Sequence, residues 1–163
     1  MGSGRRWFLL LTLLLLGSGR AESAPQFVVR PGRGIGPITL GMKAGDLKRV
    51  FGAALSITTD QTVFTLPRQG VTAFTFKGRV VRIRTTNPNH RTESGFGPGD
   101  KDWVKARQAL CNSGLSEASA VYQASGRFEI RCPLRGVIIE VSDGSIAGLS
   151  VILVQRLRSK ART

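Results

Sequence analysis

The chain states one pattern twice, and nothing else in it constrains the fold as strongly. Gly34-Ile35-Gly36-Pro37 returns as Gly95-Phe96-Gly97-Pro98, and each copy leads into a short helical pattern that holds Gly-Asp, Gly45-Asp46 and then Gly99-Asp100. Further on, Gln69-Gly70-Val71 with Lys77-Gly78-Arg79 is matched by Arg135-Gly136-Val137 with Asp143-Gly144-Ser145, both pairs displaced by 66 positions. Internal self-similarity outranks local signals, because it sets the architecture as a whole. The expectation is an α+β fold: two tandem helix-plus-antiparallel-sheet repeats, about 34–86 and 95–155, forming one curved sheet with helices on one face.

The local patterns fill in that plan. Phe27, Val28 and Val29 precede Pro31-Gly32 and read as a leading strand. Met42, Leu47, Val50 and Phe51 recur at helical spacing until Gly52 stops them. Gly45 inside that helix costs about 1 kcal/mol relative to Ala, so packing has to hold it. Strands are predicted near 62–66, 71–76 and 79–86, with Lys77-Gly78 as a tight turn. In the last of these Val81 and Ile83 alternate with Arg82 and Arg84, as in a half-buried antiparallel strand. Asn87 to Arg91 reads as a loop, and its His90 as a solvated loop histidine. In the second copy Asp100 is expected to cap a helix over about 101–112. Strands follow near 120–124, 127–132, 136–142 and 146–155. The last of them is so apolar that a central place in the sheet is expected.

The N-terminal residues have a different character. Arg5 and Arg6 precede an apolar run from Trp7 to Leu16, and small residues follow up to Ala24. That is the form of a secretory signal peptide, assigned here to 1–23, and the run is far short of the roughly 20 residues that span a bilayer. The remaining 24–163 is expected to be a single domain with a basic tail at 156–163, exported to the periplasm or secreted. The whole chain carries 24 Lys+Arg and 10 Asp+Glu, and removing Arg5, Arg6, Arg20 and Glu22 leaves 21 against 9, a net +12. Such a field attracts anionic surfaces. Arg outnumbers Lys 18 to 6, which a GC-rich genome also produces with no functional demand.

An exported chain with two cysteines suggests one disulfide, Cys111–Cys132. Phe128, Ile130 and Cys132 share strand parity, and Cys111 lies on the helix face that would meet them. Closing about 20 residues contributes roughly 3 kcal/mol in the chain-entropy model.

No catalytic set emerges. His90 is the only histidine and has no nucleophile signature around it. With the cysteines paired, a transition-metal site lacks ligands. The glycine-rich stretches at 32–36 and 95–99 lack both the Gly-Lys-Ser/Thr ending of a P-loop and a full dinucleotide fingerprint. No cofactor, metal or catalytic residue is therefore expected. The cationic residues Arg79, Arg82, Arg84, Arg127 and Arg131 form the candidate binding face. Aromatics do not interleave with them in the sequence as on a single-strand nucleic-acid platform, which disfavours nucleic acid as a partner.

The phrase Gly34 to Met42 with its helix ending at Val50-Phe51-Gly52, and the second opening Arg91 to Asp100, resemble the repeat openings of many bacterial exported proteins. The architecture so implied is similar to that of the β-lactamase inhibitory protein and of the small lipoproteins of outer-membrane assembly. Two departures matter: no cysteine directly follows the leader, and Tyr122 is the only tyrosine where the inhibitor has an aromatic-rich sheet. The resemblance carries fold and no activity. The functional expectation is a non-enzymatic exported binding or envelope-associated protein, a protein-interaction module with a partner in the cell envelope. The alternative is a binder of anionic envelope polymer or lipid headgroups through a basic sheet face.

Overall fold

The structure is a computed structural model that describes residues 26–51, 56–57, 61–111, 119–123 and 126–154. The predicted leader and basic tail lie outside the described residues. The architecture corrects the expected α+β class. The chain is mostly β, with twelve strands in two sheets and two α-helices of eight and nine residues among the described residues. Helix-plus-sheet repeats with a helical layer on one face of a single curved sheet do not describe it. The physical reason lies in the segments around the two Gly-Pro openings. They form strands rather than mere approaches to helices, and they build a second sheet.

That second sheet is small. Strands β1 (Val28–Arg30), β2 (Gly34–Ile35) and β3 (Ile38–Thr39) pair antiparallel in succession, and β8 (Arg91–Thr92) joins β1 in parallel. Val29, Ile35 and Ile38 are fully buried, so strands of two or three residues are held by their burial rather than by ladder length.

The large sheet has eight strands. The first run is β4 (Ser56–Ile57), β5 (Gln61–Leu66), β6 (Val71–Phe76) and β7 (Arg79–Thr85). The second is β9 (Ser119–Gln123), β10 (Arg127–Cys132), β11 (Val137–Ser142) and β12 (Ser145–Ile152). The spatial order is β4-β5-β6-β7-β12-β11-β10-β9, so the two runs meet where β7 pairs antiparallel with β12. β12 thus lies centrally, and Gly148 to Val151 are buried. The β6–β7 and β11–β12 hairpins turn through Lys77-Gly78 and Asp143-Gly144. All four residues have positive φ, between 47° and 74°, which matches a type I′ turn and the twist of the flanking strands.

Helix α1 (Ala44–Phe51) packs on β5, and α2 (Trp103–Cys111) packs on β10 and β11. Leu47 from α1 and Ala106, Leu110 and Cys111 from α2 join one apolar cluster with Phe64, Val71, Val80, Ile83, Ile139, Leu149 and Val151. The small sheet adds Val29, Ile35 and Ile38 to the same cluster. Asp102, not Asp100, caps α2, its Oδ1 accepting the Lys105 N–H at 3.1 Å. Asp100 instead accepts the Gly97 N–H at 2.8 Å and pairs with Arg91, so its carboxylate closes the loop before the helix. The Cys111–Cys132 disulfide ties α2 to β10, with 5.2 Å between the Cα atoms. Trp103 packs edge-on against Phe128 beside it, with ring centroids 5.1 Å apart.

His90 is the clearest local departure from expectation. It is fully buried rather than solvated. Its ring stacks on Phe27 at 4.9 Å, and its Nδ1 shares a 2.7 Å hydrogen bond with Thr85 Oγ1. Thr85 Oγ1 also bonds the Gly70 carbonyl and accepts the Asn87 N–H. This buried polar knot fastens the end of β7 to the segment that becomes β8.

Candidate binding face

Ile83 and Thr85 point into the core and Arg82 and Arg84 to the other face. A bulge where the β6–β7 register shifts breaks the alternation before them, so Val80 is buried and Val81, expected on the Ile83 face, is only half-buried. The register places Arg84 opposite Ser150, and Arg82 opposite Phe74 on one side and Ile152 on the other. Two strands further across, Glu140 stands opposite Glu129. Arginines from the first run of strands therefore reach a carboxylate from the second.

They do so through a dense set of bonds. Arg84 Nε donates to both Glu140 carboxylate oxygens at 2.8 Å, and its Nη2 donates to Oε2 at 2.6 Å. Arg82 Nη2 donates to Glu140 Oε1 at 3.1 Å and to Ser150 Oγ at 2.9 Å. The Ser150 hydroxyl donates in turn to Glu140 Oε1 at 3.2 Å. The Glu140 side chain is only 15% exposed, while those of Arg82 and Arg84 are about one-third exposed. Burial acts to raise the Glu140 carboxyl, but the Arg84 hydrogen bond, the charges of Arg84 and Arg82 and the Ser150 hydroxyl together hold it below the usual carboxylate range. The same Glu140 hydrogen bond pushes the Arg84 guanidinium up, against the opposing effect of its own burial.

Gly148 makes this arrangement fit. A Cβ there would stand 3.0 Å from Glu140 Oε2, 3.2 Å from the Thr85 carbonyl oxygen and 3.3 Å from Arg84 Nη2. The bare backbone leaves the ion pair room to lie flat over β12.

The other residues of the predicted face are placed as follows. Arg131 donates through Nε and Nη2 to Glu129 Oε2 at 3.2 and 2.9 Å. Arg127 is exposed at the start of β10, opposite Ser142. Arg79 opens β7, is exposed, and donates to the Gly41 carbonyl at 3.0 Å. Arg84 and Arg127 both line an open basin of about 360 Å³, with Phe128, Glu129, Glu140, Val141, Ser142 and Ala147. The structure thus brings Arg82 and Arg84 together on Glu140, sets Arg127 at the rim of the same basin, and leaves Arg79 apart from it. Sequence reading missed Glu140. The signal was present: one acid interrupts Val137-Ile138-Ile139-Glu140-Val141, and a charge in so apolar a strand needs a partner.

Phe74 and Phe76 also reach this face, opposite Arg82 and Arg79. The Arg82 guanidinium lies 5.4 Å from the Phe74 ring centroid, and Lys77 Nζ lies 5.5 Å from that of Phe76. Aromatic and cationic residues therefore interleave across the strands, although they do not along the sequence. Among the described residues no group of three or more His, Cys, Asp or Glu side chains is arranged to hold a metal ion, and no helix is long and apolar enough to cross a membrane.

Comparison with protein-family models, curated proteins and solved structures finds no match to this chain.

Proposed function

We propose that this chain is an exported, non-enzymatic binding protein, a protein-interaction module of the cell envelope, whose working surface is the sheet face carrying Arg82, Arg84 and Glu140. The observation that carries this reading is the ion-pair network beside the basin. Side chains fixed by mutual hydrogen bonds lose little freedom on docking, so such a face is preorganised for a shaped partner. Its charge is half compensated: Arg82, Arg84, Arg127 and Arg131 face Glu129 and Glu140, four cations against two anions, a net +2. Surplus charge alone would serve a polyanion, whereas the directed hydrogen bonds that fix Arg82, Arg84 and Glu140 supply the geometry a protein surface can use. Export is supported by the leader pattern and by the Cys111–Cys132 disulfide, which persists in oxidising compartments.

The test is crosslinking in the envelope fraction with an Ala147→Trp variant. Ala147 is exposed and lines the basin but takes no part in the ion pairs. Filling the basin should remove one or two crosslinked protein bands without unfolding the sheet. Bands that persist reject this face. Binding that instead collapses steeply with added salt favours the anionic-polymer reading, because exposed charges are screened within about 8 Å at physiological ionic strength.

A further inference from the structure

The β6–β7 hairpin tip has a different chemistry from the basin. Phe76 is 42% exposed, although it lies in an ordered strand. Its cross-strand partner is Arg79, which forms an antiparallel bridge with Lys43 on its other side. Lys43, Lys77 and Arg79 are all exposed. Backbone bonds lock this corner: Ala44 N–H donates to the Gly78 carbonyl at 2.9 Å, and Val80 N–H to the Met42 carbonyl at 2.9 Å. From Gln61 to Thr85 the chain has five Lys or Arg residues and no Asp or Glu. Among the described residues none of the three tip cations forms an ion pair, whereas Arg82 and Arg84 both take Glu140.

We propose that this tip (Lys43, Phe76, Lys77 and Arg79) is a docking surface for an anionic phospholipid bilayer. The three cations supply charge complementary to lipid phosphates. The Phe76 ring supplies the apolar group that enters the boundary between headgroups and acyl chains. A single-stranded nucleic acid suits the site less well. Bases stack on open ring faces, and here Lys77 covers a face of Phe76 as Arg82 covers a face of Phe74. The site lies outside the basin and does not depend on the protein-binding reading.

The test is co-sedimentation of the full chain with phosphatidylcholine vesicles, with and without phosphatidylglycerol. Binding is expected only with the anionic lipid. Each neutralised cation should weaken it about fivefold, and Lys43→Gln, Lys77→Gln and Arg79→Gln together about a hundredfold. Phe76→Ser should weaken it with all cations intact, and a Phe76→Trp variant should shift its emission to the blue on vesicles relative to the unaltered protein. Neutralising Arg156, Arg158, Lys160 and Arg162 separates the tail from the tip: the variant should keep binding that still responds to Phe76→Ser. Equal binding to both vesicle types, no binding at all, or loss of binding through the tail variant alone overturns the proposal. So does full competition by soluble polyphosphate when Phe76→Ser has no effect. Near-ultraviolet circular dichroism establishes that each variant is folded.

Discussion

The two arms of the large sheet, 61–85 and 127–152, share hairpin geometry and differ in charge. The first holds Arg68, Lys77, Arg79, Arg82 and Arg84 with no acid; the second holds Arg127, Arg131 and Arg135 with Glu129, Glu140 and Asp143. The second arm could balance itself, yet its most buried acid contact goes to the first. Glu140 gives its carboxylate to Arg84 and Arg82 across β12. A row of outward arginines is therefore not by itself a binding surface. Its meaning depends on what the neighbouring strands place within reach, and here the arms are electrostatically incomplete until joined.

The arms also differ in how they are fastened. The second has a covalent tie from α2 to β10, while the first relies on Leu47 of α1 packed into the shared core. Removing the disulfide with Cys111→Ala and Cys132→Ala should give the largest loss, about 3 kcal/mol in denaturant unfolding, since the closed loop spans 21 positions. If the arms unfold as one unit, probes in both should report that loss equally. A loss seen only by Trp103 fluorescence would separate them.

Glu140→Gln tests the charge link itself. It leaves two partly buried guanidinium groups without a counterion and should cost about 2 kcal/mol, less than a fully buried pair because both arginines keep some water. The pH dependence has a definite sign. Because the folded carboxyl lies below its ordinary value, the Glu140 contribution is complete above that ordinary value and is lost as pH falls through the lowered one. The Gln variant should therefore lose less stability on acidification than the parent, as read from denaturation midpoints across the acid range. Gly148→Ala should cost about 1 kcal/mol by pushing against Glu140 and the Thr85 carbonyl, and the same change in a Glu140→Gln background should cost less if the ion pair is what it disturbs.

The smallest effect is expected in α1, which packs on the first arm, and has the opposite sign. Gly45 is exposed in α1, and a Cβ there meets nothing within 4 Å. Gly45→Ala should stabilise by about 0.5–1 kcal/mol through helix propensity alone.

The parts of the fold that were legible from sequence are those with enough length for period two to show. Val71–Phe76 and Arg127–Cys132 match their predicted bounds, and Arg79–Thr85 and Val137–Ser142 differ from theirs by one residue. The disulfide followed from the pair of cysteines behind a leader pattern, agreed with strand and helix parity, and is present. The small sheet was not legible, because two-residue strands such as Gly34–Ile35 and Arg91–Thr92 have no alternation to read. Without it the chain read as one sheet under a helical layer, although the two short helices themselves were expected. His90 was misread because one polar residue in a Pro/Asn loop gives no local sign of burial. Asp100 and Asp102 are both suited to a cap, and the Arg91 and Gly97 partners of Asp100 separate their roles. Glu140 stands out locally as the one acid in an apolar strand, but Arg84 lies 56 positions away, so the sequence marks the need for a partner and not its identity.

The central place of β12 has a consequence for how the molecule comes into being. Among the described residues β12 is the last strand made, yet it completes the hydrogen bonding of β7, a strand finished some sixty positions earlier. A nascent or translocating chain that emerges from its N-terminus holds the β5–β7 sheet with one raw edge until Ser145–Ile152 arrives. During that interval the edge can recruit foreign strands. Closure through contacts so distant along the chain is also slow. Assembly of this protein should therefore be most vulnerable to aggregation late in its synthesis, and truncations that remove β12 should be insoluble rather than merely less stable.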